Sequence, residues 1–253
     1  MKQGQIALQL YTVRAETAKD FLGTLRRLAA MGYRALEFAG YGGVPVGELR
    51  AALDEYGLQA ISAHVPYDDF ATRLSEVLAE LRTLGCAHAV VPSLPAARRG
   101  DVEAVRAVAA TFNRWGAACR AEGFQFGYHN HNFEFTPLAP DGGTLFDILA
   151  TATDQALVNL EIDVAWAHVA GVDPVDLLRR HTGRVPLIHV KDLAPGDEVV
   201  DVPVGDGILP WPRILAAAEA AGTQWYIVEQ DHPRDPLADV ERSLRNLEGM
   251  AAG

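Results

Sequence analysis

Asp163, His189 and Glu229 each stand at the end of a short apolar run, and the three runs follow one another in the second half of the chain. Carboxylate and imidazole donors brought to one small volume suit a divalent cation: Mn²⁺, Mg²⁺, Co²⁺, Fe²⁺ or Zn²⁺. Three or four such ligands leave coordination positions open for a substrate's adjacent oxygens. There the ion polarises a carbonyl or hydroxyl and stabilises an enediolate. A lone acid at a strand end is more often a helix N-cap. Several runs that each end in a ligand or a proton-transfer group are hard to explain as capping.

The fifth apolar run leads into His129-Asn130-His131-Asn132-Phe133-Glu134. In an extended chain His129 and His131 point to one side and the two asparagines to the other. Such a segment is poor core material. Glu134 offers a carboxylate ligand or a base, and His129 or His131 a nitrogen ligand or a general base. Lys191 stabilises an oxyanion or binds a substrate hydroxyl, or else forms an exposed salt bridge with Asp192. Glu37 and His64, near the ends of the second and third runs, bind substrate or hold a ligand in place through an outer hydrogen bond. Trp166 and His168 wall the pocket after Asp163. Glu161 shares a face with Asp163 but lies deeper, and is the less favoured ligand. His88 and His181 read as structural or surface residues. Arg14 and Arg34 are the candidate phosphate anchors.

These groups must be positioned by a repeating unit of one short apolar run and one amphipathic stretch. The runs fall at 5–10, 35–38, 58–63, 87–91, 124–128, 157–162, 185–190 and 225–229. Helical patterns fall at 17–31, 46–56, 69–84, 102–122, 144–152, 174–180, 211–221 and 237–249. Gly32, Gly57, Gly85 and Gly123 each stop a helix at the position after its last turn. Strand–helix alternation makes each helix a crossover between parallel strands. In a chain of 253 residues this predicts a single-domain (β/α)₈ TIM barrel over residues 1–253. The rival, an open doubly wound sheet, lacks its glycine-rich fingerprint, since Leu10-Tyr11-Thr12-Val13-Arg14 holds no glycine. Glycine- and proline-rich stretches at 40–47, 137–143 and 195–212 follow runs two, five and seven, on the face where barrels carry their active sites.

Acidic residues outnumber basic ones, 33 to 22, for a net charge of −11. Such a surface repels nucleic-acid backbone and anionic membranes, so neither is expected as a partner. Cys86 and Cys119 show no CxxC spacing, which fits a reducing compartment. No basic and apolar leader pattern precedes the first run, and no apolar stretch reaches the roughly 20 residues that span a bilayer. A cytoplasmic protein is expected.

The chain resembles the sugar phosphate isomerase/epimerase family, the xylose-isomerase-like barrels that include inosose dehydratases and the AP-endonuclease type. The likeness is carried by Leu8-Gln9-Leu10-Tyr11-Thr12-Val13-Arg14, Gly32-Tyr33-Arg34-Ala35-Leu36-Glu37-Phe38, Ser62-Ala63-His64, Tyr128-His129-Asn130-His131-Asn132-Phe133-Glu134-Phe135, Asp163-Val164-Ala165-Trp166, His189-Val190-Lys191-Asp192 and Glu229. It implies one divalent metal ion, Mn²⁺ before Zn²⁺, Co²⁺ or Mg²⁺, with Asp163, His189 and Glu229 among its ligands. Many members place a glutamate at the end of strand five, where this chain has His129. Either His129 ligates the metal or Glu134 reaches back to replace the missing carboxylate; Glu134 is preferred. Trp166 stands where some members carry a histidine, which removes one candidate base.

The resemblance implies a metal-dependent isomerase or epimerase acting on a sugar, ketose or inositol derivative, with Glu134 or His131 moving the proton. The alternative is an inosose or keto-sugar dehydratase, a lyase using the same metal, with His131, His64 or Lys191 as general acid. A sugar-binding barrel without catalysis and an AP-endonuclease-type nuclease rank below these, the latter because of the negative charge. A homodimer or homotetramer is common in the family.

Overall fold

The computed structural model describes residues 1–138, 143–196 and 198–252. Of the glycine- and proline-rich stretches expected on the active face, 139–142 and Asp197 lie outside the described residues. Strands β1 (Ile6–Gln9), β2 (Ala35–Phe38), β3 (Gln59–His64), β4 (His88–Val91), β5 (Gln125–His129), β6 (Val158–Asp163) and β7 (Leu187–Val190) alternate with helices. A short hairpin, β8 (Asp192–Leu193) with β9 (Asp201–Val202), follows β7, and β10 (Trp225–Val228) is the eighth barrel strand. The eight close in the order β1-β10-β7-β6-β5-β4-β3-β2, every barrel pairing parallel. The predicted single-domain barrel is the architecture observed.

The outer helices are α1 (Arg14–Thr17), α2 (Phe21–Met31), α3 (Val46–Tyr56), α4 (Tyr67–Leu84), α5 (Val102–Ala121), α6 (Leu145–Ala152), α7 (Val164–Val169), α8 (Pro174–Arg180), α9 (Trp211–Ala221) and α10 (Pro236–Ala252). Two boundaries differ from the periodicity. The helix expected from residue 17 is broken because Asp20 caps α2, its carboxylate accepting the Gly23 N–H, which forces the chain out of helix before it. Helix α7 went unforeseen: its six residues are too few for periodicity to register, and Asp163 starts it as a cap. At Gly57 the chain turns left-handed, φ 66°, the conformation a C′ glycine supplies.

The strands alternate between two environments with period two. Outward residues such as Leu36, Phe38, Phe126 and Tyr128 pack against the helices in the main core. Ala7, Ala35, Ile61, Val90, Leu187 and Ile227 form a separate buried cluster inside the barrel. One inward step further along, the same faces carry Gln9, Glu37, His129, Glu161, His189 and Glu229. The barrel interior therefore changes from apolar to ionisable toward the C-terminal strand ends. Cys86 and Cys119 are free and buried. Among the described residues no helix is long and apolar enough to cross a membrane.

Candidate metal centre and cavity

Asp163 begins the site because its two oxygens do different things. Oδ1 accepts from the N–H groups of Ala165 (2.9 Å) and Trp166 (2.8 Å) and so caps α7. Oδ2 is buried and has no hydrogen-bond donor, though the Lys191 ammonium lies 3.2 Å away. Asn130 holds the Asp163 backbone from β5, its Oδ1 accepting the Asp163 N–H at 3.1 Å. The capping reading and the ligand reading of this residue are thus compatible, one oxygen for each.

Glu229 Oε2 lies 2.7 Å from His189 Nδ1 and 3.2 Å from Lys191 Nζ. The other ring nitrogen, His189 Nε2, lies 2.7 Å from Glu37 Oε2. Gln9 Nε2 donates to that same Glu37 oxygen at 2.8 Å. Both His189 nitrogens thus face carboxylates, Glu37 on one side and the candidate ligand Glu229 on the other; an acid on the nitrogen turned away from the ion is the usual support of a metal-binding imidazole. The His189 ring stacks against His64 at 5.3 Å and lies 4.4 Å from His129.

Donor atoms from His129, Asp163, His189 and Glu229 all lie within 4.8 Å of one another, and all four residues are buried. A second set, His64, His129, Glu161 and His189, meets the same limit and shares two imidazoles with the first. Mixed imidazole and carboxylate donors at this spacing fit a divalent ion, and the buried, donorless Asp163 Oδ2 fits a ligand atom awaiting a cation. Glu161, expected to lie too deep, reaches His64 Nε2 at 2.7 Å.

Electrostatics follow from burial and neighbours. Burial and the adjoining rings of His189, His131 and His64 hold His129 well below the ordinary histidine range, so its lone pair is free. Burial disfavours charge on Glu229, but Lys191 and His189 outweigh it and hold the carboxyl well below its usual range. Asp163 is raised by burial, against the pull of Lys191. Burial likewise opposes charge on His189, yet Glu161, Glu229 and Glu37 raise it well above normal. Glu37 and Glu161 are driven apart: despite burial, His64 and His189 draw Glu37 down to about 2. Burial and then Glu37 push Glu161 up to about 7.

Lys191 is 1% exposed, and its Nζ donates to Asp231 at 2.6 Å. Asp163, Glu229 and Asp231 overcome the burial penalty and hold it well above its ordinary value. The alternative of an exposed salt bridge with Asp192 does not obtain. Asp192 faces the next loop, where it accepts from Gly205, Gly207, Leu209 and the Trp211 indole.

A cavity of about 510 Å³ opens over the ligand set, within the range typical of small-molecule sites. His64, His129, His131, Glu229 and Asp231 line it, as do Tyr41 and, from α4, Asp69, Arg73 and Glu80. His131 lines it although β5 has ended two residues earlier. Burial and then Lys191 bring its ring down to about 4, neutral at physiological pH.

Several expected residues stand elsewhere. Glu134 is fully buried, accepting from Tyr128 Oη at 2.5 Å and the His131 N–H at 2.8 Å. It belongs to neither donor set, because Tyr128 alternates with His129 to the outside of the barrel and draws the carboxylate with it. Burial pushes Glu134 up to about 7. His168 is exposed, since α7 buries Val164, Ala165 and Ala167 instead. Trp166 is half-buried near His131, ring centroids 6.1 Å apart, with Lys191 Nζ 5.2 Å from its ring. Arg14 spends its guanidinium on the Tyr11 and Asp231 carbonyls, and Arg34 on those of Ala29 and Tyr33 at the opposite end of β2. Gln9, Asp231, Arg73 and Glu80 went unread. Asp231 had a signal, two positions beyond Glu229; Arg73 and Glu80 sit in an ordinary helical pattern that carries none.

Comparison with known proteins agrees with the fold. The chain is 28% identical over 192 residues to an inosose dehydratase of Geobacillus kaustophilus, covering 67% of this chain and 61% of that protein. The match therefore spans about three fifths of that relative's length. A sugar phosphate isomerase/epimerase from Parabacteroides distasonis superposes with a TM-score of 0.83 at 27% identity, over 98% of this chain and 94% of that one. An L-ribulose 3-epimerase shares the fold, with a TM-score of 0.74 at 16% identity over 99% and 94% of the two chains. The profile of the family described as xylose isomerase-like TIM barrel matches residues 25–250, and the chain belongs to that family.

Proposed function

We propose that the protein is a divalent-metal-dependent isomerase or epimerase that moves a proton beside the carbonyl of a polyhydroxy ketone. The observation that carries this is the convergence of His129, Asp163, His189 and Glu229 beneath a cavity whose wall holds a neutral imidazole. Those four residues would hold the ion, Mn²⁺ being the first choice, and His129 takes the strand-five position in preference to Glu134. When bound, the ion supplies Lewis-acid polarisation of the carbonyl oxygen.

The remaining roles fall to this chain's own groups. His131 is neutral, takes the proton on its ring and gives it back to substrate carbon in isomerisation, or to the departing hydroxyl, which leaves as water, in elimination. Glu134 positions His131 by accepting its backbone N–H. Lys191, enclosed by three carboxylates, keeps positive charge beside the reacting end without touching the cavity. Glu37 orients His189 through Nε2. His64 and Trp166 complete the surroundings, and His168 takes no part.

A second reading is favoured by the inosose dehydratase relatives: the same proton abstraction followed by loss of a β-hydroxyl. One experiment separates the outcomes. Purified protein is loaded with Mn²⁺ and incubated in D₂O with six-carbon ketoses and keto-inositols. Isomerase or epimerase activity appears as deuterium incorporation with an isomeric product. Elimination appears as loss of one water and growing ultraviolet absorbance of an α-hydroxy enone, the enol of a 1,2-diketone. No exchange with any of them, by protein that binds the metal, sinks both readings.

A further inference from the structure

Two places in this fold are suited to holding a phosphate, and in this chain both are filled by its own carboxylates. The first is the backbone after the seventh and eighth strands, where TIM barrels commonly bind phosphate on free N–H groups. Here the Asp192 carboxylate accepts the N–H groups of Leu193 (2.9 Å), Gly205 (2.9 Å), Gly207 (3.2 Å) and Leu209 (3.1 Å). After β10, Asp201 accepts the His232 N–H at 2.7 Å, and Asp239 accepts that of Arg234 at 3.2 Å. An incoming phosphate would find these donors taken and their acceptors negatively charged.

The second place is the part of the cavity wall that α4 supplies. Arg73 is the one arginine or lysine lining the cavity among the described residues, against the four carboxylates of Asp69, Glu80, Glu229 and Asp231. Its Nη2 is held by both Glu80 oxygens, at 2.7 and 2.9 Å. Its Nε lies 3.9 Å from Asp69 Oδ2 and is buried with no hydrogen-bond partner. The backbone at Arg73 leaves helical geometry inside α4, with φ −141° and ψ 35°. This part of the wall offers an unused donor flanked by acceptors. A hydroxyl both donates and accepts, so it matches; a phosphate only accepts, and it would sit against two like charges.

We propose, building on the function above, that the cavity takes an unphosphorylated polyhydroxy ketone whose distal hydroxyls bind Arg73, Glu80 and Asp69, and that it discriminates against sugar phosphates. The test is isothermal titration of the Mg²⁺-loaded full chain with D-fructose, D-tagatose and a keto-inositol, and with the 6-phosphates of the two ketohexoses. A neutral ligand is expected to bind, with any 6-phosphate at least about tenfold weaker. Glu80→Gln is expected to narrow that ratio at least about threefold, and Arg73→Met to weaken the neutral ligand at least about fivefold. Neither changes metal affinity, since neither residue belongs to the ligand set. A 6-phosphate that binds as tightly as its neutral partner, or no neutral ligand binding at all, overturns the inference. The wild-type panel decides this even where a variant fails to fold. Failure of the metal-centre reading is seen separately, as no stoichiometric binding in the Mg²⁺ titration.

Discussion

Asp163 carries a structural and a proposed chemical role on one carboxylate, and the two can be separated by substitution. Asn preserves an oxygen that caps α7 but removes the charge facing the cation; Ala removes both. Asp163→Asn is therefore expected to lose about 100-fold or more in Mn²⁺ affinity while keeping the cap, its stability cost being that of the weakened Lys191 ion pair. Asp163→Ala should cost about 1 kcal/mol more in unfolding free energy as well. Calorimetric metal titration and urea denaturation of the two variants measure the terms independently. At this scale the acids and histidines of the strand ends were readable because polar groups cannot end inward strands cheaply. The choice between His129 and Glu134 was not readable. Glu134 sits five positions beyond His129 in the short 3₁₀ turn Phe133–Phe135, and its direction is set by the Tyr128 hydroxyl and the His131 N–H.

At the scale of elements, the segment after β7 is organised by a single side chain. Asp192 is fully buried and gathers N–H groups from a loop whose regular structure, among the described residues, is the short β8–β9 hairpin. A side chain at Gly207 would bring its Cβ to 2.2 Å from Asp192 Oδ1, so glycine is required where the loop passes the carboxylate. Asp192→Ala would leave several buried donors without an acceptor. A loss of about 3–5 kcal/mol is expected, measured by chemical denaturation. Hydrogen exchange should localise the opening to residues 203–211; uniform exchange throughout the barrel would argue against Asp192 as the organiser. The helices themselves were largely legible, α3, α8 and α9 to the residue, because glycine stops and N-terminal prolines mark their ends. The kink of α4 at Arg73 was not, since nothing local in its sequence breaks the helical pattern.

At the scale of the whole molecule, the closed barrel buries ionisable groups that an open sheet would leave wet. His88, on β4, is 3% exposed. Burial brings its ring from 6.5 to about 4, with Glu37 opposing the shift. The unfolded chain therefore takes up this proton first as pH falls. Stability tied to His88 is present above pH 6.5, declines between 6.5 and about 4, and changes no further below. The decline amounts to about 3 kcal/mol at most. His88→Leu should flatten that segment of the profile, measured by urea denaturation at stepped pH. An unchanged slope would assign the acid sensitivity to other groups.

Residue patterning alone implies the barrel and the composition of its mouth. Eight alternations of period-two and period-3.6 patterning leave few ways to bury every apolar face, and inward polar residues then have to gather at one end. Only the tertiary structure decided the partners. Glu37 meets His189, and Lys191 meets Asp231, across strands far apart in sequence. Arg73 turns into the cavity beside Glu80. Such choices depend on barrel closure, the register shift in the β2–β3 pairing between Leu36 and Glu37, and competition among buried charges for the nearest counter-charge. None of these is a property of any local stretch of residues.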